Sequence, residues 1–591
     1  MAKMLQFCRL INSATTILSA FTLGGATASV PVKDRTFTLQ IAPQGSAKTD
    51  LGVRSVRIRI SFYPGPLEAG GTLFAMPLIT ANVDTLATSI TSLRVTDKRG
   101  LVPLLVQDKA LAGGTDADDD GTRREWIVKR RTEGAVTATY SIPATNARPP
   151  RGPAPPISLM ADDGAFSGAG SMFLLHPTGE RRYRLSIKWI LSALPRDAIG
   201  VSSLGVGSSV SKNLLSGSEL ETVFFLAGKL GRVDDVKSAT GFFAAWQGKP
   251  PFEPRPLLNW TKTLYSRYLT FFRPPESNNY GVFLRYNPIN AGGGVAMYGS
   301  FVATFGSGAG ANEEKLRFTL AHEMFHTFQP KISRPGGLET AWFSEGSANL
   351  YQSRLPLRYG MVGSKAFLED LNYYASRYYT NAMADQPNSE IAKRFWSDTR
   401  IRTLPYDRGM FYLATVDAAV RRRSGGRRSL DNILIELLAA ERSGHETRLA
   451  DWEGALLRDL GSGAVTEFQA FLAGRVPVPP SDAFGPCFRR STAKLRRYEL
   501  GFDSAVLAEP RRIVRGLLSG SAAAMAGLRN GDEIVLPVPQ DAIQGNQTEM
   551  LKLRIRRGKR EFGLSYLPRG TTVDAYQWER VPTVAEAQCP F

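Results

Sequence analysis

The sequence predicts a multidomain α+β protein: an N-terminal antiparallel β-sandwich, a mainly helical middle domain and a β-rich C-terminal module. Three observations point there. At 591 residues the chain exceeds what one hydrophobic core can hold. Its periodicity changes from alternating, to helical, and back to alternating. Gly (56) and Pro (36) are plentiful, which favours turns over long helical rods.

The first 28 residues have the form of an export signal. Lys3 and Arg9 make a basic start, Ile11 to Leu23 is apolar and small, and Ala26-Thr27-Ala28 offers a small-x-small cleavage site after Ala28. The reading is a periplasmic or secreted protein. No later stretch is apolar for long enough to span a bilayer, so no stable membrane span is expected after signal cleavage.

Residues 29–215 are assigned to the β-sandwich. Thr36 to Ile41, Val56 to Ile60 and Tyr183 to Ile187 alternate polar and apolar residues, and a Pro-rich loop (Pro149 to Pro156) separates such runs. Within it, Asp116-Ala117-Asp118-Asp119-Asp120-Gly121 has the spacing that opens a calcium loop, but Ile127 stands where the closing bidentate Glu belongs. The segment reads as a solvated acidic turn, with Asp116, Asp118 and Asp120 as the ligands a calcium site there would use.

Residues 216–485 read as the helical domain, turning helical near Ser218. Asn312 to Phe328 is the clearest helix: Asn312 is an N-cap, Glu313 and Glu314 suit the first turn, and Pro330 ends it. Further helices are expected around Trp342–Ser353, Arg408–Arg422 and Leu430–Ala440. In residues 486–591 short strands return from about Tyr498. With Cys8 in the signal, Cys487 and Cys589 remain as an even pair in an exported chain, which permits a disulfide.

The formal charge is +19, but the basic residues are scattered and no nucleic-acid-binding motif accompanies them. No nucleic-acid partner is expected.

The motif with chemical content is His322-Glu323-Met324-Phe325-His326. Two His at i and i+4 lie on one helix face and can reach one ion, and Glu323 sits beside that face as a candidate general base. The chain has only four His, and the helix around these two is apolar, so unpaired imidazoles there would be costly. A third candidate ligand, Glu345, follows in Trp342-Phe343-Ser344-Glu345-Gly346, after a gap that holds a helix end, a loop and a new helix. Three protein ligands leave the fourth position of Zn2+ open, which marks a catalytic rather than a structural site.

At these residues the chain resembles the gluzincin metallopeptidases, and within them the glycyl aminopeptidase family. The matching segments are His322 to His326, Lys331 to Pro335, Trp342 to Tyr351, Tyr406-Asp407-Arg408-Gly409 and Ser429-Leu430-Asp431. The resemblance implies a β-domain, a thermolysin-like zinc peptidase domain acting on a peptide or protein substrate, and a C-terminal PDZ domain. It implies that Tyr406 stabilises the oxyanion. Asn349, one turn beyond Glu345, is the candidate to orient a zinc-bound His.

The PDZ resemblance rests on Glu499-Leu500-Gly501-Phe502 and on Gly520-Ser521-Ala522-Ala523, Ala526-Gly527-Leu528 and Gly531-Asp532-Glu533-Ile534. It implies that Leu500, Gly501 and Phe502 form a carboxylate-binding loop for a C-terminal peptide ligand, bound by strand addition.

The chain departs from the family at Gly293-Gly294-Val295-Ala296-Met297, where Ala296 replaces the Glu that holds a substrate's free amine in related aminopeptidases. A methyl group cannot pair with an ammonium, so cleavage from the amino terminus and internal cleavage both stay open. A reading from another class is a peptide-binding or scaffolding protein with a weak or vestigial zinc site. The intact ligand set argues against it and Ala296 argues for it.

Overall fold

The computed structural model describes residues 35–45, 52–110, 122–144, 154–234, 241–274, 279–287, 291–306, 312–509, 511–538 and 540–591. The export signal and Asp116, Asp118 and Asp120 lie outside the described residues. Compactness divides the chain into two units. The first comprises residues 3–262 and 275–317, and the second residues 263–274 and 318–591.

The first unit is built of sheets. Thr36–Gly45 pairs antiparallel with Val53–Phe62, and its burial alternates along the strand as its sequence does. These two strands and Tyr183–Trp189 belong to one seven-stranded sheet, beside five- and four-stranded sheets in the same region. The sheet is not purely antiparallel, however. Thr36–Gly45 runs parallel to Tyr183–Trp189, with Leu39 opposite Ile187. Alternation reports which face of a strand is buried but not the direction of its neighbour.

The expected change to helix near Ser218 does not occur there. Strands Gly231–Asp234, Phe242–Trp246, Tyr280–Tyr286, Gly294–Met297 and Ser300–Phe305 form a mixed five-stranded sheet. Phe242–Trp246 and Tyr280–Tyr286 are parallel and joined through helix α1 (Pro254–Phe272), a βαβ unit. The two strands are buried almost throughout, so they read as short apolar runs without alternation and carry no strand signature. Phe283, Val295 and Val302 of this sheet share one core cluster with Leu39 and Ile58. That shared core is why no compact boundary falls at residue 215. Gly294–Met297 is an edge strand, with Ala296 opposite Phe301.

The second unit is mainly helical. Helix α2 (Glu313–Phe328) enters it from Phe318, and Asn312 caps it through Oδ1, which accepts from the Lys315 N–H at 3.1 Å. Next come α3 (Ala341–Arg358), α4 (Ser364–Tyr379), α5 (Thr399–Arg402), α6 (Leu404–Arg423), α7 (Leu430–Arg442), α8 (Leu449–Leu460) and α9 (Ser462–Leu472). Ser429 caps α7 in a capping box with Asn432. Trp342 of α3 packs at 5.5 Å on Tyr412 of α6 and at 5.8 Å on Trp452 of α8, and all three rings are buried.

The C-terminal module pairs Phe488–Tyr498 with Arg569–Arg580 and adds a three-stranded sheet. It packs into the helical unit rather than standing apart. Asn372 of α4 donates to Trp578 O at 2.7 Å and accepts from the Trp578 N–H at 2.8 Å, and Glu586 accepts from the Ser364 N–H at 2.6 Å. The four-residue helix α10 (Asp541–Gln544) also belongs to this module.

The Leu500 and Phe502 side chains lie in the module's core, and Gly501 has φ +86°, a backbone state open to glycine. The segment after this loop is a 3₁₀ helix, Ser504–Ala508, where strand addition needs an extended edge. Cys487 and Cys589 form a disulfide with Cα atoms 5.1 Å apart, closing a loop with a sequence separation of 102.

Closing a loop of that size stabilises a folded chain by about 2–5 kcal/mol through the unfolded state. Cys487→Ser with Cys589→Ser therefore lowers the thermal midpoint of the C-terminal module. Unfolding of variant and parent, followed by circular dichroism without reductant, measures the difference.

Candidate metal centre

The metal-binding side chains are positioned by packing before any ion is considered. Phe325 and Phe328 of α2 face α1: Phe272 stacks on Phe328 at 5.4 Å, and the Tyr268 hydroxyl donates to Ala321 O at 3.1 Å. On its other side Phe325 stacks on Tyr351 of α3 at 5.0 Å. The Tyr351 hydroxyl donates to Asp431, which also accepts from Arg358 at 2.7 Å. These contacts fix α2 against α3 and point His322 and His326 towards Glu345.

Helix α3 is fixed in turn against α6 through backbone. A methyl group on Gly346 would lie 2.6 Å from Gly409 Cα, and one on Gly409 would lie 2.9 Å from Gly346 Cα. Only glycines let the two helices approach so closely. The residue before Gly346 is Glu345, and Tyr406 lies one turn ahead of Gly409. The buried pairs Arg354–Asp417 (3.0 Å) and Arg377–Asp407 (2.6 Å) neutralise the charges around this crossing.

His322, His326 and Glu345 are all buried and bring one donor atom each to a common point. Nε2 of His322 and Nε2 of His326 are 3.2 Å apart, and each is 3.3 Å from Oε2 of Glu345. Zinc held tetrahedrally at about 2.0–2.1 Å needs donors about 3.3–3.4 Å apart, so the triangle fits the ion. With both Nε2 atoms bare, three lone pairs would face one point and repel each other unless a cation lay between them. Burial raises the Glu345 carboxyl, but the two imidazoles outweigh it and bring it down to about 2.

The two imidazoles are held from behind. Gln352 Nε2 donates to Asp370 Oδ1 at 2.9 Å and to the Tyr374 hydroxyl at 3.0 Å, which leaves Gln352 Oε1 facing His322 Nδ1 at 3.1 Å. His322 then carries its proton on Nδ1 and presents a bare Nε2. Burial pushes Asp370 up to about 7.

At the second histidine, Gln329 Nε2 donates to His326 Nδ1 at 2.6 Å while Oε1 accepts from Ser347 at 2.7 Å. That orientation puts the His326 proton on Nε2. Turning the amide over hands Oε1 to an Nδ1–H and bares Nε2 for metal, and the Ser347 hydroxyl then accepts the NH₂ group and donates to Ser344 O, 3.2 Å away. A metal held at His326 Nε2 would require this second orientation.

These partners correct the expectation for Asn349. It is buried on α3, but its Nδ2 has no partner among the described residues and the imidazole contacts are made by Gln352 and Gln329. Glu345, Asn349 and Gln352 fall at i, i+4 and i+7 on one helix face, so spacing alone did not choose between the two amides. Gln329 closes α2 three residues after His326, a spacing that was legible in the sequence but not used.

Glu323 is buried beside the triangle, and its Oε2 has no hydrogen-bond partner among the described residues. Burial raises its carboxyl above the usual range, against the pull of the two imidazoles. The Tyr406 ring lies over His322 at 6.1 Å and 20°. Burial and the Glu345 and Glu323 carboxylates raise its phenol well above the usual range, so the hydroxyl stays a donor. Leu500, Gly501 and Phe502 belong to the C-terminal module. The Leu500 and Gly501 carbonyls accept from the Tyr566 hydroxyl (2.7 Å) and the Leu518 N–H (2.8 Å). The N–H groups of residues 500–502 donate no hydrogen bond among the described residues.

Gly346→Ala forces the α3–α6 crossing apart. Overpacking of this kind costs about 1–3 kcal/mol, so the variant has a lower melting midpoint and less bound zinc by metal analysis. Gln352→Leu removes the acceptor behind His322 and weakens zinc binding about 10- to 100-fold, read by chelator competition.

Residues 315–406, which span α2, the Glu345 helix and Tyr406, match the family model of the M61 glycyl aminopeptidases. No curated protein matches. Among solved structures, an aminopeptidase N family protein from Idiomarina loihiensis aligns over 92% of this chain and 98% of its own, at TM-score 0.62 and 14% identity. A mutant M1 zinc metallopeptidase from Deinococcus radiodurans, bound to Tyr-Ser-Ala, aligns over 76% and 95% at TM-score 0.44 and 15% identity. A yeast LTA4 hydrolase aligns over 75% and 69% at TM-score 0.41 and 11% identity. At these identities the likeness is one of fold, carried by the first of the three.

Proposed function

We propose that this glycyl aminopeptidase-like chain is an exported zinc metallopeptidase whose metal is held by His322, His326 and Glu345. The observation that carries the reading is the closed triangle of donor atoms at 3.2–3.3 Å, the edge length of a tetrahedral zinc site. Zinc in that position is a Lewis acid that lowers the pKa of water and polarises a carbonyl.

The chain's own residues supply the rest. Glu323 takes the proton of the attacking water and passes it to the leaving amine. Its burial suits the first of these steps, since a carboxylate whose proton affinity is raised by burial is a stronger base towards the attacking water. Tyr406, kept protonated, donates to the oxygen on which negative charge develops. Gln352 holds His322 in the metal-binding tautomer, and Gln329, with its amide turned over, would do the same for His326.

Whether the site reads a free amino terminus turns on Ala296, which offers no carboxylate. The same chain carries a second candidate binding element: the N–H groups of residues 500–502, which donate no hydrogen bond among the described residues, have the chemistry of a carboxylate grip. Because Ser504–Ala508 is a 3₁₀ helix, that grip would hold a terminus without strand addition.

Glu323→Gln keeps the three ligands, so zinc content stays at the parent level while peptide hydrolysis falls by about 10²- to 10⁴-fold. Unchanged hydrolysis in that variant contradicts the assignment. A peptide-library digest read by mass spectrometry, with free and N-acetylated members, fixes the direction of cleavage. Equal cutting of both sets excludes aminopeptidase action.

A further inference from the structure

Helix α10 belongs to the C-terminal module by chain order, but its hydrogen bonds run to the helices around Tyr406. The Asp541 carboxylate accepts a fork from Arg402: Nε to Oδ2 at 3.0 Å and an Nη to Oδ1 at 2.7 Å. The Thr399 hydroxyl donates to the same Oδ1, and Gln544 Nε2 donates to Thr399 Oγ1 at 2.9 Å. The backbone joins in. Asp541 O accepts from the Tyr373 hydroxyl at 3.2 Å and from Arg377 at 3.4 Å. Arg377 in turn forks onto Asp407 at 2.6 and 2.8 Å.

Two charges therefore bracket Tyr406 in sequence, Arg402 one turn before it and Asp407 immediately after. Both are tied to this four-residue helix. The Arg402 side chain is only 7% exposed, and Asp541 is its carboxylate partner among the described residues. The pair joins this half-exposed carboxylate, with 45% of its side-chain surface accessible, to a buried guanidinium. Its effect is positional. Without it a buried guanidinium lacks a counter-charge and shifts, and the first turn of α6 shifts with it. The Tyr406 ring, held nearly parallel to His322, tolerates little such movement.

We propose that Asp541 is a positioning residue for Tyr406, so that the C-terminal module is a working part of the peptidase site rather than a separable adapter. The proposal rests on the reading of Tyr406 as the oxyanion donor. It also gives the one-turn helix α10 a role, that of docking the module on α4 and α5.

The test is a double-mutant cycle on the full chain with a fluorogenic peptide as substrate. Asp541→Ala is expected to lower kcat about 10- to 100-fold, the range for a misplacement of about 1 Å, with KM and zinc content within twofold of the parent. Tyr406→Phe lowers kcat further, and adding Asp541→Ala to it lowers kcat no more. Should Asp541→Ala not fold, Asp541→Asn carries the cycle, since it keeps an acceptor for Thr399 and loses the charge facing Arg402. An equal loss from the Asp541 change in the parent and the Tyr406→Phe background overturns the proposal, as does unchanged kcat in the Asp541 variant. If Tyr406→Phe alone leaves kcat unchanged, the reading of Tyr406 fails and this proposal with it.

Discussion

Two helix backbones meet at Gly346 and Gly409, and the metal centre is arranged around that contact. A methyl group on either residue would fall within 3 Å of the other's Cα. The crossing brings Glu345 on α3 and Tyr406 on α6 to one place although they are far apart in sequence. Everything buried nearby serves to hold it. The cluster of Trp342, Tyr412 and Trp452 packs one side, and the Arg354–Asp417 and Arg377–Asp407 pairs neutralise charge on the others.

A second constraint follows from chemistry. Three donor atoms at 3.2–3.3 Å with their lone pairs converging are an electrostatic liability without a cation. The surrounding amides make sense only as devices for that arrangement. Gln352, itself oriented by Asp370 and Tyr374, fixes the tautomer of His322. Gln329 does the same for His326 once its carbonyl faces the ring. The tautomers are thus set by residues two bonding steps from the metal.

Much of this site could be read from the sequence, because a helix converts spacing into geometry. His322 and His326 at i and i+4, the Asn312 cap and the order of Glu345 and Tyr406 all survived folding. Local spacing does not say which of several residues on one face reaches a partner, and Gln352 in place of Asn349 shows that limit. The strands of the βαβ unit were hidden for another reason: burial on both faces removes the alternation that marks a strand. Which cores merge is likewise not a local property, and the merging of Phe283 and Val302 with Leu39 and Ile58 is a long-range fact. At the C-terminus the glycine pattern singled out residues 500–502, where Gly501 has φ +86°. It did not reveal that the next segment is a 3₁₀ helix, nor that α10 turns inward towards Arg402.

The account stands on the triangle of His322, His326 and Glu345 holding one zinc ion. X-ray absorption at the zinc edge of the metal-loaded chain tests this most directly. The expected shell has four nitrogen and oxygen neighbours at about 2.0–2.1 Å, with the outer-shell signature of two imidazoles and with one zinc per chain. A shell without imidazole scattering, or zinc retained at well below one ion per chain, would contradict it.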